Sequence, residues 1–219
     1  MFASIVPRYD AINSLMTLGL DRRWRRQTVS MAAPHGAVAL DIATGTGELA
    51  LEMGRQGAKV VIGADFCVEM LRAAKKKAAA SANGGWLALA AADAMRLPFA
   101  DHSFDCVVNG FMLRNVDNLR DTLTELCRVL RIGGRLVCLD LTPPRGPLRR
   151  FFGLYISRFV PLLGVLVAGN YGAYRYLFDS LTIHPDADQV AAMMHEAGFA
   201  EVSYKRIGLG TVAIHRAVK

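Results

Sequence analysis

One glycine-rich turn and three carboxylates, each set where an apolar run ends, are the residues of this chain whose types and spacing point most directly to chemistry. In Ala39-Leu40-Asp41-Ile42-Ala43-Thr44-Gly45-Thr46-Gly47-Glu48 an apolar run passes into a turn that opens a helix. Gly45 and Gly47 lack a Cβ, so the turn can be tight and its backbone amides can approach a ligand in the crevice beyond the strand. A dinucleotide pyrophosphate asks for Gly-x-Gly-x-x-Gly, whereas the pattern here is Asp41-x-x-x-Gly45-x-Gly47. A carboxylate at Asp41 repels a pyrophosphate but pairs, directly or through a water, with the amino group of an amino-acid-like ligand. Asp65 closes the next apolar run, 18 residues after Gly47, and its two oxygens can accept from both hydroxyls of a ribose. Asp93 follows a third run, where a carboxylate can accept from an adenine amino group while the backbone at Ala94 addresses the ring. Each feature has a plainer reading alone: a strand-end Asp often caps a helix, and Asp93 can cap a turn before Leu97-Pro98. In this order on successive strands they imply adenosine with a charged tail, the chemistry of S-adenosyl-L-methionine.

The elements that must position these residues alternate between apolar strand-like runs and longer helical segments from about residue 38 to about residue 142. That rhythm predicts a mostly parallel sheet with crossover helices on both faces, a Rossmann-like α/β fold. Strands are expected at Val38 to Ile42, Val60 to Gly63, Trp86 to Ala91, Cys106 to Gly110 and Arg135 to Leu139. Helices are expected at Gly47 to Gln56, Val68 to Ala80 and Leu119 to Leu130, with Ile132-Gly133-Gly134 stopping the last. A further helix at Asp188 to Ala197 ends at Gly198, and Val202 to Ile207 with Thr211 to Val218 alternate as antiparallel strands, which brings the sheet to seven.

One domain covers residues 1–219 in this reading. An arm, residues 1 to about 33, is helical in Ala11 to Leu18 and Asp21 to Met31 and can cover a site. A break at Pro143-Pro144-Arg145-Gly146-Pro147 opens a segment, 143–180, expected to cover a substrate. Its apolar part, Phe151 to Val167, suits either a core helix or cover for an apolar ligand. The longest apolar stretch is broken by Arg158, Pro161 and two glycines and falls short of a membrane span.

Composition narrows the classes of function. The chain carries 53% apolar and 21% charged residues, as an ordered globular protein does. Its formal charge of +7 comes largely from Arg22-Arg23-Trp24-Arg25-Arg26, Lys75-Lys76-Lys77 and Arg145 to Arg150, clusters that suit an anionic surface or plain solvent. Cys67, Cys106, Cys127 and Cys138 lack Cys-x-x-Cys spacing, so free thiols and no metal are expected. No secretory signal opens the chain, and the cytoplasm, or the inner face of its membrane, is the expected compartment. His35, His102, His184 and His195 sit in polar or turn-like settings, and His215 reads as structural. Nucleic acid is an unfavoured partner, since neither an Asn/Asp-Pro-Pro-aromatic motif nor interleaved aromatic and basic residues are present.

Motifs along nearly the whole chain resemble those of the C-methyltransferases of ubiquinone and menaquinone biosynthesis. They are Met1-Phe2-x-x-Ile5 with Arg8-Tyr9-Asp10 and Asn13, Asp21-Arg22-Arg23-Trp24-Arg25, the Asp41 loop, and Leu97-Pro98-Phe99 with Asp101 and Ser103-Phe104-Asp105. Then come Leu113-Arg114-Asn115-Val116, Arg128-Val129-Leu130 with Gly133-Gly134-Arg135-Leu136, Ala173-Tyr174-x-Tyr176-Leu177, and Gly210-Thr211-Val212-Ala213-x-His215. The glycine and Leu-Pro-Phe motifs are shared by many methyltransferases. The Tyr-Asp arm, Leu-Arg-Asn-Val and Gly-Thr-Val-Ala are more specific.

The resemblance implies a class I methyltransferase fold and transfer of a methyl group from S-adenosyl-L-methionine to a ring carbon of a polyprenylated quinol. Holding a ring hydroxyl as its oxyanion makes the ortho carbon nucleophilic enough to attack the methyl in line. Arg114 is the leading candidate to stabilise that oxygen, with Asn115 positioning it and Tyr9 and Asn13 completing the pocket; the bland alternative pairs Arg114 with Asp117 on a solvated turn. The family's cofactor contacts fall on Thr46, Asp65, Asp93 with Ala94, and Gly110, where the family usually carries serine or alanine. Arg131-Ile132 and Asp140-Leu141 also depart from the usual Lys-Pro and Glu-Phe, which leaves the particular quinol open. Contact with a membrane surface and a homodimer are both compatible with the sequence, which marks no interface. The competing readings are a methyltransferase for another lipophilic small molecule and a binding module that has kept the fold.

Overall fold

The computed structural model describes residues 9–80, 86–146 and 185–219. The chain enters through α1 (Tyr9–Met16) and α2 (Leu20–Ala32), followed by β1 (Val38–Ile42), α3 (Glu48–Arg55), β2 (Val60–Asp65) and α4 (Val68–Ala79). Then come β3 (Leu87–Ala91), β4 (Phe104–Gly110), α5 (Leu119–Val129) and β5 (Leu130–Leu141), and finally α6 (Ala187–Glu196), β6 (Glu201–Ile207) and β7 (Val212–Val218). The seven strands form one sheet in the order β3-β2-β1-β4-β5-β7-β6. Pairings from β3 to β5 are parallel, while β7 runs antiparallel to β5 and to β6. The expected α/β architecture, with helices on both faces, is what the chain adopts.

Strand periodicity explains the two cores. On one face Leu40, Val107, Leu136 and Cys138 pack beneath α5 and α6 through Leu123, Leu126, Val190 and Met194. On the other, Ala39, Val108, Val137 and Ile214 meet Trp24 and Val29 of α2 and Leu49 and Met53 of α3. Adjacent residues of one strand therefore serve opposite cores, as alternating Cβ directions require. The parallel strands all direct their carboxyl ends to one edge, with the order reversing between β1 and β4, and a crevice outside that edge is where such sheets bind ligands. Asn118 caps α5 by accepting from the amides of Arg120 and Asp121, at 3.0 and 3.2 Å.

One expectation is corrected. Ile132-Gly133-Gly134 does not stop α5, which ends at Val129; the glycines lie inside β5. Phe104 pairs with Leu130 and Cys106 with Arg135, so β5 bulges there. Gly133 takes a φ of +75°, and the amide of Gly133 and carbonyl of Gly134 bond to Lys219. A Cβ on Gly134 would lie 2.7 Å from the Arg131 carbonyl oxygen, so the bulge needs glycine. Met1 to Arg8, the 143–180 segment from residue 147 onward, its Phe151 to Val167 stretch, the Ala173 to Leu177 motif and His184 lie outside the described residues.

Candidate cofactor and substrate site

A cavity of about 390 Å³ opens at the carboxyl edge, where the β1, β2 and β4 ends meet. Two of its lining residues, Ala43 after β1 and Phe111 after β4, hold left-handed backbone at φ 53° and 60°. That conformation costs a residue with a Cβ roughly 1–2 kcal/mol, and such strain gathers at functional sites. Gly45 and Gly47 take φ values of 55° and 85° in the same loop, and the amide of Thr44 ties it back to Ala64 at 3.0 Å.

Asp65 pins the loop. Its Oδ2 accepts from the Gly45 amide at 2.7 Å and its Oδ1 from the Cys67 amide at 2.8 Å. Burial raises its carboxyl pKa, and the backbone hydrogen bonds oppose that rise. A carboxylate has about four lone-pair sites, so Asp65 keeps acceptor capacity toward the cavity it lines. Asp93 and Ala94 line the same cavity, and Asp93 Oδ1 accepts from the Met95 amide at 2.9 Å. The turn-capping and cavity-lining roles of Asp93 coexist. Gly110 ends β4 at the wall, where a Cβ would meet Leu49 Cδ1 at 2.9 Å. Leu49 fills the space a serine or alanine side chain would take.

Asp41 lies behind this wall. It is completely buried, and its Oδ2 accepts from Thr44 Oγ1 at 2.6 Å and from the Ala50 amide at 2.9 Å. Its Oδ1 has no hydrogen-bond partner among the described residues. Burial pushes its pKa up to about 7, against the pull of those two hydrogen bonds and of the nearby Arg25 charge. Thr46 and Gly47 stand back from the cavity as well. Gly47 caps α3 in left-handed conformation with Ala74 behind it. Thr46 donates its hydroxyl to Asp10 Oδ1 at 2.6 Å and accepts from Lys77 Nζ at 3.0 Å. Lys77 also donates to Asp10 Oδ2 and, at 2.6 Å, to Glu48 Oε1.

Arg114 occupies the short turn Leu113–Asn115 that follows β4. Its guanidinium pairs with Asp140, at the end of β5, and stands 5.5 Å from the centre of the Phe111 ring. The pair is nearly closed to solvent, with side chains 10% and 3% exposed. The pairing with Asp117 does not form; Asp117 lines the cavity and is exposed. Arg114 Nε and Asp140 Oδ2 have no hydrogen-bond partner among the described residues. Asn115 lines the cavity and donates from Nδ2 to the Phe111 carbonyl at 2.9 Å. Tyr9 opens α1, and its side chain lies outside the described residues.

Sequence reasoning did not single out Lys77, Asp140 or Arg25 as site residues. Lys77 read as one of three lysines in a basic run, and Asp140 only as a departure from glutamate. Arg25 of α2 stands 5.9 Å from the Phe111 ring centre, on a side chain 12% exposed. No local signal separates it from the three exposed arginines around it.

These residues fit an adenosine with an amino-acid tail. Asp65 offers acceptors for a ribose, Phe66, Met70 and Met95 offer apolar wall, and the orphaned, buried Asp41 Oδ1 suits an ammonium. The chain shares its fold with an S-adenosylmethionine-dependent methyltransferase of Thermotoga maritima, at TM-score 0.71 and 19% identity over 100% of this chain and 98% of that one. A second such methyltransferase, from Aquifex aeolicus, superposes at TM-score 0.62 and 15% identity, covering 87% and 86% of the two chains.

Fold and site together define a class I S-adenosylmethionine-dependent methyltransferase. Residues 1–219 match the model of the ubiE/COQ5 methyltransferase family, and the chain belongs to that family. It is 42% identical to the demethylmenaquinone methyltransferase of Roseiflexus castenholzii, over 100% of this chain and 92% of that protein. It is 45% identical to the Thermus thermophilus demethylmenaquinone methyltransferase over 98% of each. The ubiquinone/menaquinone biosynthesis C-methyltransferase UbiE of Pseudomonas paraeruginosa is 38% identical, over 100% of this chain and 87% of that protein.

Proposed function

We propose that this protein methylates a ring carbon of a polyprenylated quinol, demethylmenaquinol or the methoxy-benzoquinol, with S-adenosyl-L-methionine as donor. The observation that carries the reading is the buried Arg114–Asp140 pair beside Phe111, set next to a cavity suited to adenosine. The names of the full-length relatives support the quinol. When bound, the cofactor supplies an electrophilic methyl on a sulfonium.

The protein's part is to hold the acceptor and its charge. Asp65, Asp93, Ala94, Gly45 and Gly110 hold the adenosine end, with Asp41 on the ammonium and Thr46 and Gly47 fixing the loop's shape. Arg114, anchored by Asp140, directs its remaining N–H donors at the ring oxygen, so that negative charge there is met by a fixed cation. Asn115, tied to the Phe111 carbonyl, sets the height of that turn, and the family resemblance adds Tyr9 to the same pocket. Exclusion of water strengthens each of these interactions.

No helix among the described residues is long and apolar enough to cross a membrane. Contact with a bilayer surface is supported by the turn between α1 and α2, where Leu18 is 86% exposed, a few residues before exposed Arg22 and Arg23. The test of the function is methyl transfer from labelled S-adenosyl-L-methionine to demethylmenaquinol and to the methoxy-benzoquinol, with the methylated position read by mass spectrometry. Label on a ring carbon of either quinol is the expected result. Cofactor binding with transfer to neither overturns the quinol reading and leaves another lipophilic acceptor.

A further inference from the structure

Three cations stand near the glycine loop and the end of β4, and they differ in what they hold. Lys77 gives its three N–H donors to Asp10, Thr46 and Glu48, which is all that an ammonium has. Arg114 is engaged by Asp140. Arg25, from the second helix of the arm, makes no hydrogen bond to any described residue: its Nε is buried and without an acceptor, and Asp21 Oδ2 lies 3.6 Å away. Asp21 is itself turned toward the arm, with Oδ1 accepting from Ser14 Oγ at 3.2 Å and Thr17 Oγ1 at 3.1 Å.

Across from Arg25 the sheet presents the opposite deficit. Asp41 is completely buried with one oxygen lacking a donor. It pairs in register with Val108 of β4, three residues before Phe111, whose ring stands 5.9 Å from the Arg25 guanidinium carbon. The two charges are close enough for Arg25 to lower the Asp41 pKa. Burying an anion and a cation with hydrogen-bonding capacity left over costs stability. A zwitterion satisfies both, an ammonium on the anion and a carboxylate on the guanidinium fork.

We propose that Arg25 binds the carboxylate of the cofactor's amino-acid tail while Asp41 takes its ammonium, so that the arm completes the cofactor site and senses the zwitterionic end. This rests on the methyltransferase reading above. The arm and the strand then share the tail, because one of its two ligands belongs to α2 and the other to β1.

The test is calorimetric binding of S-adenosyl-L-methionine and of its decarboxylated form, which lacks only the carboxylate, to the wild-type protein, Arg25→Gln and Arg25→Lys. Wild type should prefer the intact cofactor. Arg25→Gln should lose about tenfold to a hundredfold in affinity for the intact cofactor, the worth of a charged hydrogen bond, with a much smaller loss for the decarboxylated form, which feels Arg25 only through Asp41. Arg25→Lys, which keeps the charge and folds under the same packing, should retain part of the preference. Parallel weakening toward both ligands would show a merely structural arginine and overturn the proposal, as would unaltered preference in Arg25→Gln. Failure of the wild type to bind either ligand would overturn the cofactor reading beneath it.

Discussion

Thr46 of the glycine loop gives its hydroxyl hydrogen to Asp10 of the arm, 2.6 Å away, with Lys77 bridging the two. The loop, α1 and α4 are thereby latched at one point. Asp10 and Lys77 are each about one third exposed, at 35% and 32%, so solvent screens them and each link contributes roughly 0.3–1 kcal/mol. Lys77→Met should leave the melting temperature within a few degrees of wild type yet speed amide hydrogen exchange in α1 at low salt. Unchanged exchange in α1 would remove the latch.

Asp65 joins β2 to the glycine loop through two backbone amides. Asp65→Ala leaves both amides without that acceptor, at about 1–3 kcal/mol each if water cannot replace it, and also removes the oxygens proposed to accept from the ribose. Cofactor affinity should fall more than tenfold together with a lower unfolding midpoint. Asp65→Asn keeps one oxygen and should recover stability more than affinity. Calorimetric binding and chemical denaturation measured on both variants separate the two effects.

The Arg114–Asp140 pair is buried on both sides. Arg114→Ala strands a carboxylate and should destabilise by roughly 3–5 kcal/mol, besides slowing methyl transfer through kcat more than KM. The double variant Arg114→Met with Asp140→Leu removes both charges and should restore most of the stability without the activity. Recovery of activity in that double variant would take Arg114 out of the catalytic role.

Asp41 titrates near 7 in the folded protein, well above its ordinary 3.8, because burial opposes its charged form. The folded state therefore holds this proton more tightly than the unfolded chain. Its contribution is fully present below about pH 4 and is lost as pH rises through about 7. Asp65, also raised by burial, acts in the same direction. Asp41→Asn should flatten this part of the decline between about pH 4 and pH 7, read from denaturation midpoints without cofactor. An equally steep profile in the variant would assign the slope to other groups.

Much of the fold is legible in the sequence because strand and helix periodicities are local. Val38 to Ile42 ends as a strand where its apolar run ends, and Asp65 and Asp93 follow from the same rhythm, since a carboxylate closing an apolar run falls at the carboxyl edge whatever the neighbouring strands do. The glycines of the loop are legible for a related reason: their conformations are set within a few residues.

The partners of charged side chains are decided elsewhere. Arg114 faces Asp140, 26 residues on, because β4 and β5 pair in a register that sets Gly110 beside Leu139; nothing between them in the chain records that. Lys77 and Asp10 are 67 residues apart and meet only because α1 lies near α3 and α4. Gly133 and Gly134 look like a helix stop until the chain's last residue, Lys219, is laid against them. Arg25 stands apart from its neighbours solely because α2 turns that one side chain toward Phe111 and away from water. The sequence by itself determined the strand order's raw material, the acidic strand ends and the family. Only the tertiary structure decided which charges are buried and which are paired, because burial and pairing are properties of surfaces brought together from distant parts of the chain.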